Sequence, residues 1–146
     1  MSAIELAQSL IKIKSISPKD EGCFDLVEAE LAPLGFETKR IPELNCETLL
    51  AKFGNSGKVF CFLGHTDIVP SGPEDEWTSP PFEANIINAE LIGRGAADMK
   101  GSVAVFIQSV KKFLTANPNP SFQIWVMLTS NEEGEPEDGK INTLID

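Results

Sequence analysis

The sequence predicts an α/β protein in which a mixed, largely parallel sheet is sandwiched between helices in three layers. Three observations predict it. Val59-Phe60-Cys61-Phe62-Leu63 is an unbroken apolar run bounded by Gly57-Lys58 and Gly64, the pattern of a central strand covered on both faces. Helical apolar spacing alternates along the chain with short strand-like runs. Acidic residues fall where strands end or a helix begins, at the carboxyl edge where open α/β sheets build their sites.

Taken in order, Ser2 is placed to cap a first helix whose stripe of Leu6, Ala7, Leu10, Ile11 and Ile13 stops before Ser17-Pro18. A second helix is predicted over residues 24–34, with Leu26, Val27, Leu31 and Leu34 inward, Pro33 near its end and Gly35 just beyond. Residues 36–41 alternate with charge like an exposed strand, and residues 48–53 form another. Asn55-Ser56-Gly57 then predicts a turn joining this strand to the 59–65 strand as a hairpin. After a Pro/Gly loop, residues 82–87 and 90–92 predict a short hairpin around Asn88-Ala89. Val103, Phe106, Ile107, Val110, Phe113 and Leu114 mark an amphipathic helix over 102–114, ended by Asn117-Pro118. A strand over 122–128 ends on Thr129-Ser130, and a further helix is predicted to start near Gly139. The chain stops at Leu144-Ile145-Asp146 after barely two turns of that segment without a C-cap, which reads as a truncation.

The length of 146 residues suits one domain, and 42% hydrophobic with 23% charged residues is ordinary for a globular protein. A net charge of -10 argues against nucleic-acid or anionic-membrane partners and favours cations. Cys23, Cys46 and Cys61 are odd in number and widely spaced, so a reducing compartment is expected. Glu5 and the lack of a basic start exclude a signal peptide in the first residues, no stretch approaches a membrane span, and a cytoplasmic location is the default expectation.

The strand at 59–65 delivers His65, the single histidine, and Asp67 two residues later. A lone histidine is often a satisfied core residue, and Asp67 also suits the turn that leads into Pro70-Ser71-Gly72-Pro73. As a pair they fit a ligating imidazole oriented by a carboxylate, because alternate strand residues share a face. Gly93-Arg94-Gly95-Ala96-Ala97-Asp98-Met99-Lys100-Gly101 delivers Asp98 just ahead of the long helix. Helix capping is one reading of Asp98. A phosphate-binding loop is a weaker one, since the spacing and the acidic charge are wrong for it. Asn131-Glu132-Glu133-Gly134 follows the next strand, either as a solvated acidic patch or as a metal-binding acid beside a substrate-facing one. Together the clusters call for a divalent ion bound by imidazole and carboxylates, for which Zn²⁺ is suited, with Asp98 a candidate bridge in a two-metal site.

HTD at 65–67, GRGAADMKG at 93–101 and TSNEEG at 129–134 resemble, in order and spacing, the metallohydrolases that include aminoacylases, dizinc carboxypeptidases and acetylornithine deacetylase. The resemblance spans essentially the whole chain. It implies a dizinc-exopeptidase-like sandwich with two Zn²⁺ per subunit, Co²⁺ as a possible substitute, and hydrolysis of a linear amide in a small N-acyl amino acid. It implies metal ligands at His65, Asp98 (bridging) and Glu133. Catalytic roles would fall to Asp67, which orients His65, and to Glu132, the general base. Asn131 departs from the family's usual Asp at that position and is expected to tune the site without touching a metal. On this likeness residues 1–146 are the N-terminal part of a metal-dependent catalytic domain. A dimerisation domain and a C-terminal catalytic segment carrying further ligands are absent, the longer parent is a homodimer, and the segment alone is expected to be inactive.

Overall fold

The computed structural model describes residues 1–138. The helix expected near Gly139 lies outside them. The chain begins with α1 (Ala3–Ile11), whose capping box is complete: Ser2 Oγ accepts the Glu5 N–H at 3.2 Å and the Glu5 carboxylate accepts the Ser2 N–H at 2.7 Å. In α2 (Cys23–Leu31) the first turn is held by Asp20, whose carboxylate accepts the N–H groups of Gly22 and Phe24. It ends earlier than expected, passing into a tight turn at Ala32–Leu34. Pro33 has no N–H to continue the helical ladder.

The strands are β1 (Glu37–Glu43), β2 (Cys46–Phe53), β3 (Val59–His65), β4 (Asn85–Ile87), β5 (Glu90–Ile92) and β6 (Gln123–Thr129), with α3 (Gly101–Ala116) ahead of β6. β4 and β5 form the expected hairpin, with Asn88 and Ala89 at positive φ in its turn. The main sheet runs β1-β2-β6-β3. It is mixed: β1·β2 and β2·β6 are antiparallel and β6·β3 is parallel.

Two expectations fail here. The turn after β2 does not make a β2–β3 hairpin, because β6 lies between the two strands and pairs with both. The Gly and Asn signal located the turn correctly, but a local signal carries no information about a strand that arrives some sixty residues later. The other concerns β3, which is an edge strand among the described residues, with Val59, Phe60, Cys61 and Leu63 exposed and one face covered by α3 through Phe62 stacked on Phe106 at 4.2 Å. An apolar run states which surface is stabilised by cover, not which part of the chain supplies it.

All three helices pack on one face of the sheet. Leu6 and Leu10 from α1, Phe24 and Val27 from α2, and Val103 and Ile107 from α3 share one buried cluster with Leu49, Ala51, Ile124, Val126 and Leu128. Each large side chain so buried contributes roughly 1.5–3 kcal/mol. Lys100 is buried within this layer, its ammonium donating to the carbonyls of Leu10 at 2.9 Å and Ile13 at 2.7 Å, where α1 ends. This cation binds the loop entering α3 to the carboxyl end of α1, where helical carbonyls are otherwise unsatisfied.

Candidate metal centre

Strand direction decides where the site forms. Because β3 and β6 are parallel neighbours with His65 paired to Thr129, their carboxyl ends lie side by side. The HTD and NEEG segments, far apart in sequence, therefore leave the sheet together. The third segment is shaped by a tight turn, as Gly95 adopts φ +77° and the Lys100 N–H bonds the Gly95 carbonyl at 2.9 Å. A Cβ at Gly95 would meet Ile68 Cγ2 at 2.6 Å, so both conformation and space require glycine.

Asp67 is fully buried and is the hub of the site's floor. Its carboxylate accepts the Ser17 hydroxyl at 2.5 Å and the N–H groups of Glu132 at 3.1 Å and Glu133 at 3.0 Å. The acid therefore orders the loop that carries the two glutamates, a task beyond the orientation of His65 expected for it. Burial raises the Asp67 pKa, but the bonds from His65, Ser17 and the two amides outweigh it and hold the carboxyl below its ordinary value.

His65 lies above this floor, with Nδ1 3.1 Å from the Asp67 carbonyl oxygen and 3.5 Å from its carboxylate. That contact assigns the proton to Nδ1 and turns Nε2 outward. Nε2 lies 3.1 Å from Asp98 Oδ1 and 4.0 Å from Glu132 Oε2. Burial pulls the imidazole pKa down, yet Asp67 and then Asp98 more than offset this and raise it to about 9. Surroundings that favour an imidazolium so strongly also favour a metal cation at Nε2.

Asp98 does not cap α3. Lys100 occupies the cap position without a side-chain bond, and Asp98 adopts extended backbone with its carboxylate directed to His65 and 74% exposed. Ligand atoms of His65, Glu132 and Glu133 all lie within 4.8 Å of one another, a grouping able to hold a metal ion. Burial pushes the Glu133 carboxyl above its ordinary pKa, helped by the negative charge of Asp98 and then Glu132, partly countered by His65. Among the described residues no lysine or arginine forms an ion pair with these acids. An imidazole and convergent carboxylates with no lysine or arginine paired to them form a donor set that fits a divalent metal. They border a cleft of about 440 Å³ lined by Leu63, Gly64, His65, Asp98, Met99, Thr129 and Glu132.

Asn131 is buried and donates its side-chain amide to the Glu135 carbonyl at 3.0 Å. Sequence reasoning missed Ser17 and Ser130. The first bonds Asp67 across fifty residues, and the hydroxyl of the second links the Pro18 carbonyl to the Glu47 N–H. No local pattern marks either, because their partners are distant in the chain.

The family model described as peptidase family M20/M25/M40 matches residues 61–146. The chain is 45% identical over 97% of its length to succinyl-diaminopimelate desuccinylase of Marinobacter nauticus, covering 38% of that protein. It is 49% identical over 95% of its length to the enzyme of the same name from Halorhodospira halophila, covering 37% of it. The chain thus spans well under half the length of these curated relatives. Human carnosine dipeptidase 1 superposes with a TM-score of 0.83 at 23% identity, covering 98% of this chain and 34% of that one. The dipeptidase Dug1p of Saccharomyces cerevisiae gives 0.75 at 22%, covering 97% and 33%. These two structures bear on the fold, which they share across nearly the whole chain. With its three acidic segments converging on one histidine, the chain belongs to peptidase family M20/M25/M40.

Proposed function

We propose that this chain is the N-terminal part of the catalytic domain of a metal-dependent amide hydrolase that converts N-succinyl-LL-2,6-diaminopimelate and water to LL-2,6-diaminopimelate and succinate. The reaction would serve lysine and diaminopimelate synthesis in the cytoplasm. The observation that carries this reading is the convergence of His65 Nε2, Asp98 and Glu132 on one cleft, together with the names of relatives that are 45–49% identical. His65, Asp98 and Glu133 would hold the metal, two Zn²⁺ or Co²⁺ ions per subunit in the whole protein. When bound, the metal would polarise the amide carbonyl and acidify water.

The side chains divide the remaining work by exposure. Asp67 keeps the Nδ1 proton on His65 and so presents Nε2 as the donor. Glu132 is 61% exposed and reaches the cleft. It takes a proton from the attacking water and returns it to the leaving amine. Each metal would have about two ligands from this segment, fewer than the three a catalytic zinc site requires. The segment alone is therefore inactive, and the whole protein is a homodimer completed by later ligands. The test is turnover of N-succinyl-LL-diaminopimelate against N-acetylornithine by the whole protein and its Glu132→Gln variant. Preference for the acetylated substrate would replace the desuccinylase with a sister deacylase. Undiminished turnover by the variant would remove Glu132 from the chemistry.

A further inference from the structure

The chain has two arginines, and they are treated differently. Arg40 is saturated by acids, paired with Asp25 and Glu28. Arg94 has no acid partner among the described residues although the chain carries 22 acidic side chains. Its guanidinium lies over the Trp77 ring, 5.2 Å from the centroid, and one Nη2–H reaches the Ser71 carbonyl at a long 3.5 Å. Its Nε is buried without a hydrogen-bond partner. Buried N–H groups are rarely left so, and an orphaned one in a cleft calls for an explanation.

Arg94 lines a cavity of about 270 Å³ with Ile68, Val69, Asp98 and Glu133. Asp98 also lines the larger cleft containing His65 and Glu132, so the two spaces meet at that residue. A guanidinium placed over an aromatic ring, with donors unspent, suits bidentate recognition of a carboxylate. We propose that Arg94 is the anchor for a substrate carboxylate, seated in the cavity beside Asp98 while the scissile bond lies in the adjoining cleft. This rests on the amide-hydrolase reading and adds to it a residue that selects acidic acyl or amino-acid groups. The alternative, that Arg94 only staples the Ser71–Trp77 loop, would leave ligand binding indifferent to its donors.

The test titrates the 146-residue chain with succinate, with and without zinc, and follows the Trp77 indole and the Gly93, Gly95 and Ala96 amides by NMR. Saturable shifts are expected with succinate and not with neutral succinamide. Arg94→Gln should weaken succinate about tenfold, the scale of a hydrogen bond to a charged group. Arg94→Lys, which keeps the charge and loses the fork, should weaken it severalfold and decides the matter should Arg94→Gln fail to fold. The proposal falls if wild type shows no saturable succinate response in either condition, if succinamide binds as well, or if a folded variant binds succinate as tightly as wild type. The amide-hydrolase reading is tested separately by turnover of the whole protein, and failure there would leave the Arg94 comparison intact in the zinc-free arm.

Discussion

The two halves of the candidate metal centre differ in what they are built to resist. Its floor is closed, with Asp67 fully buried, His65 nearly so, and the Asp67 carboxylate bonded to one hydroxyl and two backbone amides. Its rim is open, with Asp98 74% and Glu132 61% exposed, neither neutralised by a lysine or arginine among the described residues. The comparison teaches that one carboxylate here is structural cement while others of the same chemistry are kept uncommitted. Buried donors left without an acceptor cost far more than exposed acids left in water.

The sharpest way to break this contrast is Asp67→Ala. Its removal strands the Ser17 hydroxyl and two amides, and should destabilise the chain by about 3 kcal/mol or more, read as a lower urea midpoint at unchanged slope. A loss below 1 kcal/mol would show that the floor is not cement.

Next in size is a pH effect on the metal-free chain. With the His65 pKa raised from 6.5 to about 9 on folding, its stabilising contribution is complete below pH 6.5 and disappears as pH rises through about 9. A decline on the order of 2 kcal/mol is expected across that window, in chelator and absent in His65→Asn. A flat profile, or the same slope in the variant, would contradict the raised His65 pKa.

On the rim, Asp98→Asn should leave unfolding within about 0.5 kcal/mol of wild type while weakening zinc by at least ~10-fold, the scale of losing a partner in a metal site. Calorimetric titration separates the two readouts, and unchanged zinc affinity would remove Asp98 from the ligand set. The smallest effect belongs to Glu132→Gln, which should alter neither the urea midpoint nor zinc affinity measurably. A large change in either would make Glu132 a structural or ligating residue in place of a proton carrier.

Much of this was legible locally. The Ser2 cap, the Asn88-Ala89 hairpin and the α3 stripe depend on residues within a few positions of one another, and each formed where its pattern lay. The three acidic motifs were visible as well, since strand ends and glycine loops have their own signatures. What was not legible depended on distance. Whether β3 neighbours β2 or β6, that Ser17 bonds Asp67, and that Lys100 joins α1 involve partners tens of residues apart.

By itself, then, the amino-acid order determined which segments are helix or strand and which side chains can donate to a cation, because both follow from short-range sterics and side-chain chemistry. The tertiary structure alone decided that these donors meet. Insertion of β6 between β2 and β3, parallel to the latter, brings the ends carrying His65 and Glu132 to one edge. The register of that pairing is set by burial of Ile124, Val126 and Leu128 against the helices, a collective property of the packed core that no single segment contains.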